Sequence, residues 1–275
     1  MQPWPDDLPL FAPVERCIYC GARERKLTDE HIVPYGLYGR SVLPAASCRE
    51  CADIINREIE EPLMRGSLLA IRQFFNMPTR KRNKPRPTHQ NVTLRTREGV
   101  ERTVRVPIDK APTYVFGFSL PVAGYLAGRP EVEEIYVRGE AVCTNPSVTR
   151  EAAKAAEGEA LKLLEIDQQA YMRFLAKIAH GFTVGFAGVD AFEHRLPPLI
   201  LGRQAQGRSP NVSATHLIGW DYLPEEPFVA DDMRMAYVPL LYGTGTVHTI
   251  RLRLFGRFGM PAYLIVAGPG VACSA

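Results

Sequence analysis

The sequence predicts a mixed α+β protein, with a small cysteine-framed unit at its N-terminus and a larger α+β region after it. Three observations predict this. Two Cys-x-x-Cys pairs, Cys17/Cys20 and Cys48/Cys51, bracket a short stretch. A helical periodicity starts at the second pair. Strand-like runs, rich in β-branched residues, then alternate with helical material through the rest of the 275 residues. That length allows a sizeable core, in one large domain or two smaller ones.

Residues 1–14 are acidic and proline-rich and read as an irregular N-terminal arm. Residues 15–75 form the cysteine unit and its extended helix. Within it, "RERKLTDEH" reads as a short strand running into His31, and "SVLPAAS" as a second strand interrupted by Pro44. From Cys48 the chain turns helical. Ile54, Ile55, Ile59, Leu63 and the run from Leu68 to Ile71 recur near one face, and Pro62 is expected to kink or split the helix. Residues 76–91, "NMPTRKRNKPRPTHQN", carry prolines and no apolar periodicity, which predicts a basic linker.

Residues 92–275 read as an α+β domain of unknown role. "VTLRTREGVERTVRVP" predicts a hairpin turning at Glu98-Gly99, and "EEIYVRGEAVC" a further strand. Residues 147–187 hold the main helical material. The last segment predicts a hairpin around Gly256–Gly259. The Gly-x-Gly of "YGTGTVH" lacks the strand-turn-helix context of a nucleotide-binding loop.

The formal net charge of +3 does not by itself require a polyanionic partner, but the charge is unevenly placed. Met1 to Gly66 holds 8 basic and 11 acidic residues; Ser67 to Arg105 holds 10 basic and 2 acidic. Arg80, Lys81, Arg82, Lys84 and Arg86 concentrate positive charge just after the cysteine unit. These residues are expected to contact phosphates, or else to form a solvated linker. The N-terminus lacks the basic and apolar regions of a signal peptide, and no apolar run approaches the roughly 20 residues of a membrane helix. A cytoplasmic protein with no membrane partner is therefore expected.

Six cysteines in a chain of this length, without an export signal, do not read as a disulfide framework. The two pairs are separated by 27 intervening residues. A tight turn lets each pair place two thiolates on one metal, and four thiolates close a tetrahedral, structural Zn²⁺ site. Two reduced, metal-free pairs are the alternative. Cys143 and Cys273 read as a small core residue and a tail residue.

The residues "CIYC…TDEHIVPYGLYG…SCRECADI" resemble the HNH endonucleases, in the branch whose finger is framed by two CxxC pairs. The resemblance covers about residues 15–66. It implies a ββα-metal, treble-clef-like zinc finger and hydrolysis of phosphodiester bonds, foremost in double-stranded DNA. In that family the His at the end of the first strand is the general base, here His31. The acidic residue before it holds a divalent metal, here Glu30 with Mg²⁺ or Mn²⁺. A second ligand comes from the first helical turn. The family often has Asn or His directly after the last cysteine, where this chain has Ala52. Asp53 is the next oxygen donor and Asn56 the reserve. The family's middle Asn is absent between His31 and Cys48.

The chemistry accounts for these residue types. A neutral imidazole near pH 7 can take a proton from water. A hard cation on one or two protein oxygens leaves positions for phosphate and water. The expectation is a metal-dependent endonuclease, with residues 92–275 binding substrate, a protein partner or a second copy. The alternatives are a non-catalytic zinc-binding interaction module derived from such a nuclease, and the same chemistry on RNA.

Overall fold

At Cys48 the chain switches from strand to helix. Strand β1 (Leu27–His31) pairs antiparallel with β2 (Val42–Cys48), and Cys48 is also the N-cap of helix α1 (Arg49–Ile55). The computed structural model describes residues 10–79, 87–95, 98–131, 137–148, 160–161, 166–202, 213–223 and 233–271. The fold is α+β, as the sequence predicts.

Pro44 does not interrupt β2. Between the Thr28–Ser47 and Glu30–Leu43 pairs the register shifts, so three residues of β2 stand opposite Asp29 alone. Such a bulge removes Pro44 from the ladder, where its missing N–H would matter. Ala45 takes a positive φ of 49° there, and its N–H donates to the Asp29 carboxylate at 3.2 Å.

Pro62 does not break the helix either. It keeps helical angles, with φ −56° and ψ −42°. Wide turns stand on both sides of it: Glu61 N–H bonds to Asn56 O, and Leu68 N–H to Leu63 O at 2.8 Å. A wide turn relieves the clash of a proline ring with the carbonyl one turn back. The break comes instead at Gly66, with φ −102° and ψ −109°, and α2 (Leu69–Phe74) follows.

Beyond the cysteine unit, β3 (His89–Arg95) and β4 (Glu101–Pro107) form the predicted hairpin, with β3 starting inside the stretch read as linker. β5 (Tyr114–Ser119) pairs with β6 (Arg138–Cys143). Ala160–Leu161 forms a short strand, β7, on the edge of β3, within a stretch the sequence reads as helical. The described helix there is α3 (Gln168–Ala187), capped by Asp167, whose side chain accepts from Ala170 N–H at 2.8 Å. Two short helices follow, α4 (Pro197–Leu201) and α5 (Ala214–Leu217). The last strands are β8 (Ile218–Trp220), β9 (Met233–Tyr242), β10 (Gly245–Leu254) and β11 (Ala262–Pro269), in the antiparallel order β8-β11-β10-β9. The "YGTGTVH" glycines turn the β9–β10 hairpin, and Gly256–Gly259 the β10–β11 hairpin.

Every residue of α3 from Ala170 to Val184 is buried. The helix is buried on all sides because it packs against the four-stranded sheet and also against the turn at Asn56–Glu60. At Gly181, a Cβ would sit 3.3 Å from Ile32, the residue after β1. One apolar cluster therefore runs from Cys17 in the cysteine unit to Ala267 in β11. Phe11, near the end of the arm, closes over Gly185 and stacks edge-on with Phe182 and Phe186. No helix of the described residues is long and apolar enough to cross a membrane.

His180 ties α3 to the cysteine unit: its Nε2 donates to Ile18 O at 2.8 Å. Burial first, and then the neighbouring His194, hold its pKa down to about 3. Below about pH 6.5 the unfolded chain takes up a proton that the folded state refuses. The stability His180 contributes is thus complete above pH 6.5 and falls on the way to pH 3. The slope should be roughly 1.4 kcal/mol per pH unit. Urea unfolding across that range should show it in the wild type and a shallower slope in His180→Gln. Equal slopes would mean that another group sets the acid sensitivity.

Candidate functional site

The cysteine cluster is built by two local devices. Cys17 N–H bonds to Ala22 O and Gly21 N–H to Cys17 O, both at 2.8 Å, so the chain folds back on itself around Cys20. Gly21 supplies the positive φ of 75° that this turn needs. The second pair sits at the start of α1, where unpaired N–H groups favour thiolates. Ile18 N–H then bonds to Ala46 O at 2.8 Å and holds the first turn against β2.

The four sulfurs lie within 4.8 Å of one another, and Cys20 and Cys48 Sγ are 3.7 Å apart. A tetrahedral Zn²⁺ with bonds of about 2.3 Å requires sulfurs about 3.8 Å apart, so the donor set fits a closed structural ion. Among the described residues, this is the group able to hold a metal. A hydrogen bond from Cys51 draws Cys17 down to about 4, and the same bond pushes Cys51 up. Zinc would take all four as thiolates.

Glu30, expected as a ligand of a catalytic metal, has a different partner. It is buried, and its carboxylate meets the ammonium of Lys177 from α3 at 2.8 Å. Lys177 is fully buried, contacts Glu60 at 3.1 Å, and donates to Ile32 O at 3.2 Å and to His31 O. Arg173, one turn earlier, bonds Glu58 at 2.9 Å and Ile200 O at 2.9 Å. Burial raises the pKa of Glu30, and Lys177 offsets part of that. Burial pulls Lys177 down, but Glu30 and Glu60 outweigh it and leave its pKa raised. Tyr19 is buried beside them, and burial with the charge of Glu30 and Glu60 raises its pKa.

His31 lines a groove of about 570 Å³. Asn56 and Glu60 come to the same groove from the helix, together with Arg65 and Arg72. The loop after β1 forms its other wall, and two glycines shape that loop. A Cβ at Gly39 would lie 2.0 Å from Val33 O, and Gly36 lets Arg72 pack against the backbone, where Arg72 Nε donates to Gly36 O at 3.0 Å. Thr79 and Pro87 also line the groove. They flank Arg80, Lys81, Arg82, Lys84 and Arg86, which lie outside the described residues.

Of the expected site residues, the groove therefore gathers His31 and Asn56. Asp53 is not part of it: its side chain is two-thirds exposed and faces Arg49 at 3.7 Å. Glu30 points to Lys177. Glu30 is buried and taken up by Lys177, whereas Asp53 is exposed outside the groove, so the two do not fit a shared Mg²⁺ or Mn²⁺ ion. Lys177, Arg173 and Glu60 are the residues that sequence reasoning missed. The signal for them was two cations one turn apart, Arg173 and Lys177, in an otherwise apolar helix. Cys143 is half-buried with Sγ 3.5 Å from Asn145 Oδ1, and Cys273 lies outside the described residues.

Comparison of the chain with protein-family models, curated proteins and solved structures finds no match.

The zinc assignment makes a direct prediction. Elemental analysis of purified protein should find about one zinc per chain. Cys48→Ser should lose the metal, and its melting temperature should fall with it, because a small unit depends on such a staple. A folded wild-type protein without zinc would refute the assignment.

Proposed function

We propose that the chain is an HNH-type endonuclease that hydrolyses phosphodiester bonds, foremost in DNA, with His31 as general base. The observation that carries this reading is one groove shared by His31, at the end of a zinc-type hairpin, and by Asn56 on the helix that follows. The order of hairpin, helix and cysteine pairs is the one the resemblance implies.

In this reading the imidazole of His31 takes the proton of the attacking water. Negative charge grows on the phosphate as the bond breaks, and N–H donors must meet it. Asn56 and Arg65 are the groove residues suited to that role. The chain passes directly from Thr79 and Pro87 on the groove into the cationic segment 80–86. Phosphates flanking the scissile bond are the natural partners of that segment. No step is assigned to a divalent metal, because Glu30 is held by Lys177 and Asp53 does not line the groove.

The same pairing of Glu30 with Lys177 favours a second reading. In it, the finger is a non-catalytic zinc-binding interaction module, and the ion pair replaces a former metal site.

Plasmid DNA and RNA, incubated with zinc-loaded protein with and without Mg²⁺ or Mn²⁺, separate the two. Cleavage is expected, and His31→Ala should lower its rate roughly a hundred- to ten-thousand-fold. Folded, zinc-loaded protein that cleaves neither polymer under any condition leaves the interaction module as the function. Nucleic-acid binding supplies an independent check. Neutralising Arg80, Lys81 and Arg82 should weaken it and reduce the salt slope by about 0.9 for each phosphate that is no longer neutralised. An unchanged slope would return the segment to plain linker.

A further inference from the structure

We propose that Lys177 is the built-in cation of this site, and that its ammonium excludes any divalent metal from the space between Glu30 and Glu60. Nζ lies 2.8 Å from Glu30 and 3.1 Å from Glu60, and it also bonds the carbonyls of His31 and Ile32. Two carboxylates and two carbonyls around one point charge are the donors that a hard divalent ion seeks. Here a nitrogen fills their centre.

A metal could enter only by moving the ammonium, and Lys177 has no solvent to retreat to, being fully buried. A divalent ion beside a retained ammonium would place like charges within a few ångströms, in surroundings that screen them poorly. The tether is rigid as well. α3 is held on the finger by Arg173 with Glu58, by His180 with Ile18, and by the close approach of Gly181 to Ile32. The ammonium is therefore delivered by the fold and does not compete from solution.

For catalysis, this deepens the nuclease reading and rests on it. Lys177 is too buried to touch substrate. It is a positioning residue, holding the backbone carbonyl of His31 and fixing the strand end from which the imidazole reaches the groove.

The test reads metal binding, not activity. Zinc-loaded protein is titrated with Mn²⁺ into the millimolar range, and free Mn²⁺ is followed by its electron paramagnetic resonance signal. Wild type and Glu30→Gln should give the same curve, because no Mn²⁺ depends on Glu30. Lys177→Ala should take up about one Mn²⁺ per chain, and Lys177→Ala with Glu30→Gln should lose it again. Uptake by the wild type that Glu30→Gln abolishes would overturn the proposal. So would a folded Lys177→Ala that takes up no Mn²⁺. If Lys177→Ala does not fold, the comparison of wild type with Glu30→Gln decides alone. The two readings fail separately. Absence of cleavage, with the expected Mn²⁺ curves, sinks the nuclease and leaves the cation in place. Mn²⁺-dependent cleavage lost in Glu30→Gln sinks the cation and leaves the nuclease.

Discussion

The ammonium of Lys177 is fully buried. Burying such a charge costs several kcal/mol unless protein oxygens replace its water. Here they come from three places: the end of β1, the residue after it, and the helical turn at Asn56–Glu60. The charge is tolerated only while all three are in register. The cysteine unit and α3 are thereby held in one relative position, and so is the strand end that carries His31. Buried ion pairs add little net stability over an apolar contact, but breaking one is strongly destabilising. Truncating Lys177 alone would therefore leave Glu30 buried without its countercharge.

The cysteine unit is also held from its other end. Its own core is small, and the cysteine cluster compensates for that where a metal ties the first turn to the start of α1. The apolar cluster does the rest, continuing from the cysteine unit through α3 to the four-stranded sheet. The hydrogen bond from His180 to Ile18 O joins these supports, since Ile18 is the neighbour of Cys17. Charge, metal-type donors and apolar burial thus converge on the same few residues of the first turn and of β1.

How much of this the sequence revealed depended on range. The cysteine pairs, the strand ending at His31, the helix opening at Cys48 and the two clearest hairpins were legible, because short spacings and turn residues encode them. Pro44 and Pro62 misled for one reason: a proline restricts its own backbone, and a bulge or a wide turn nearby can absorb the restriction. The environment of Glu30 was illegible from its neighbours, because its partner lies on a helix roughly 150 positions away and only tertiary packing brings it near. The exchange of Asp53 for Asn56 on the groove has a similar origin. An ideal helix rotates each residue by about 100°. The choice between two donors three positions apart therefore rests on helical phase, which spacing alone does not give.

Phase also explains what the wide turn at Asn56–Glu60 accomplishes. It takes in one residue more than an α-helical turn, as an inserted residue would. Asn56 and Glu60 stay toward the groove, and the residues from there to the break at Gly66 are re-indexed around the helix axis. Arg72 lies on α2, beyond that break, and comes to the same groove to meet Gly36. One slip in pitch and one break in the axis thus work as a hinge and a shim: they bring polar residues of two helical segments to a single wall that does not repeat at the helical period.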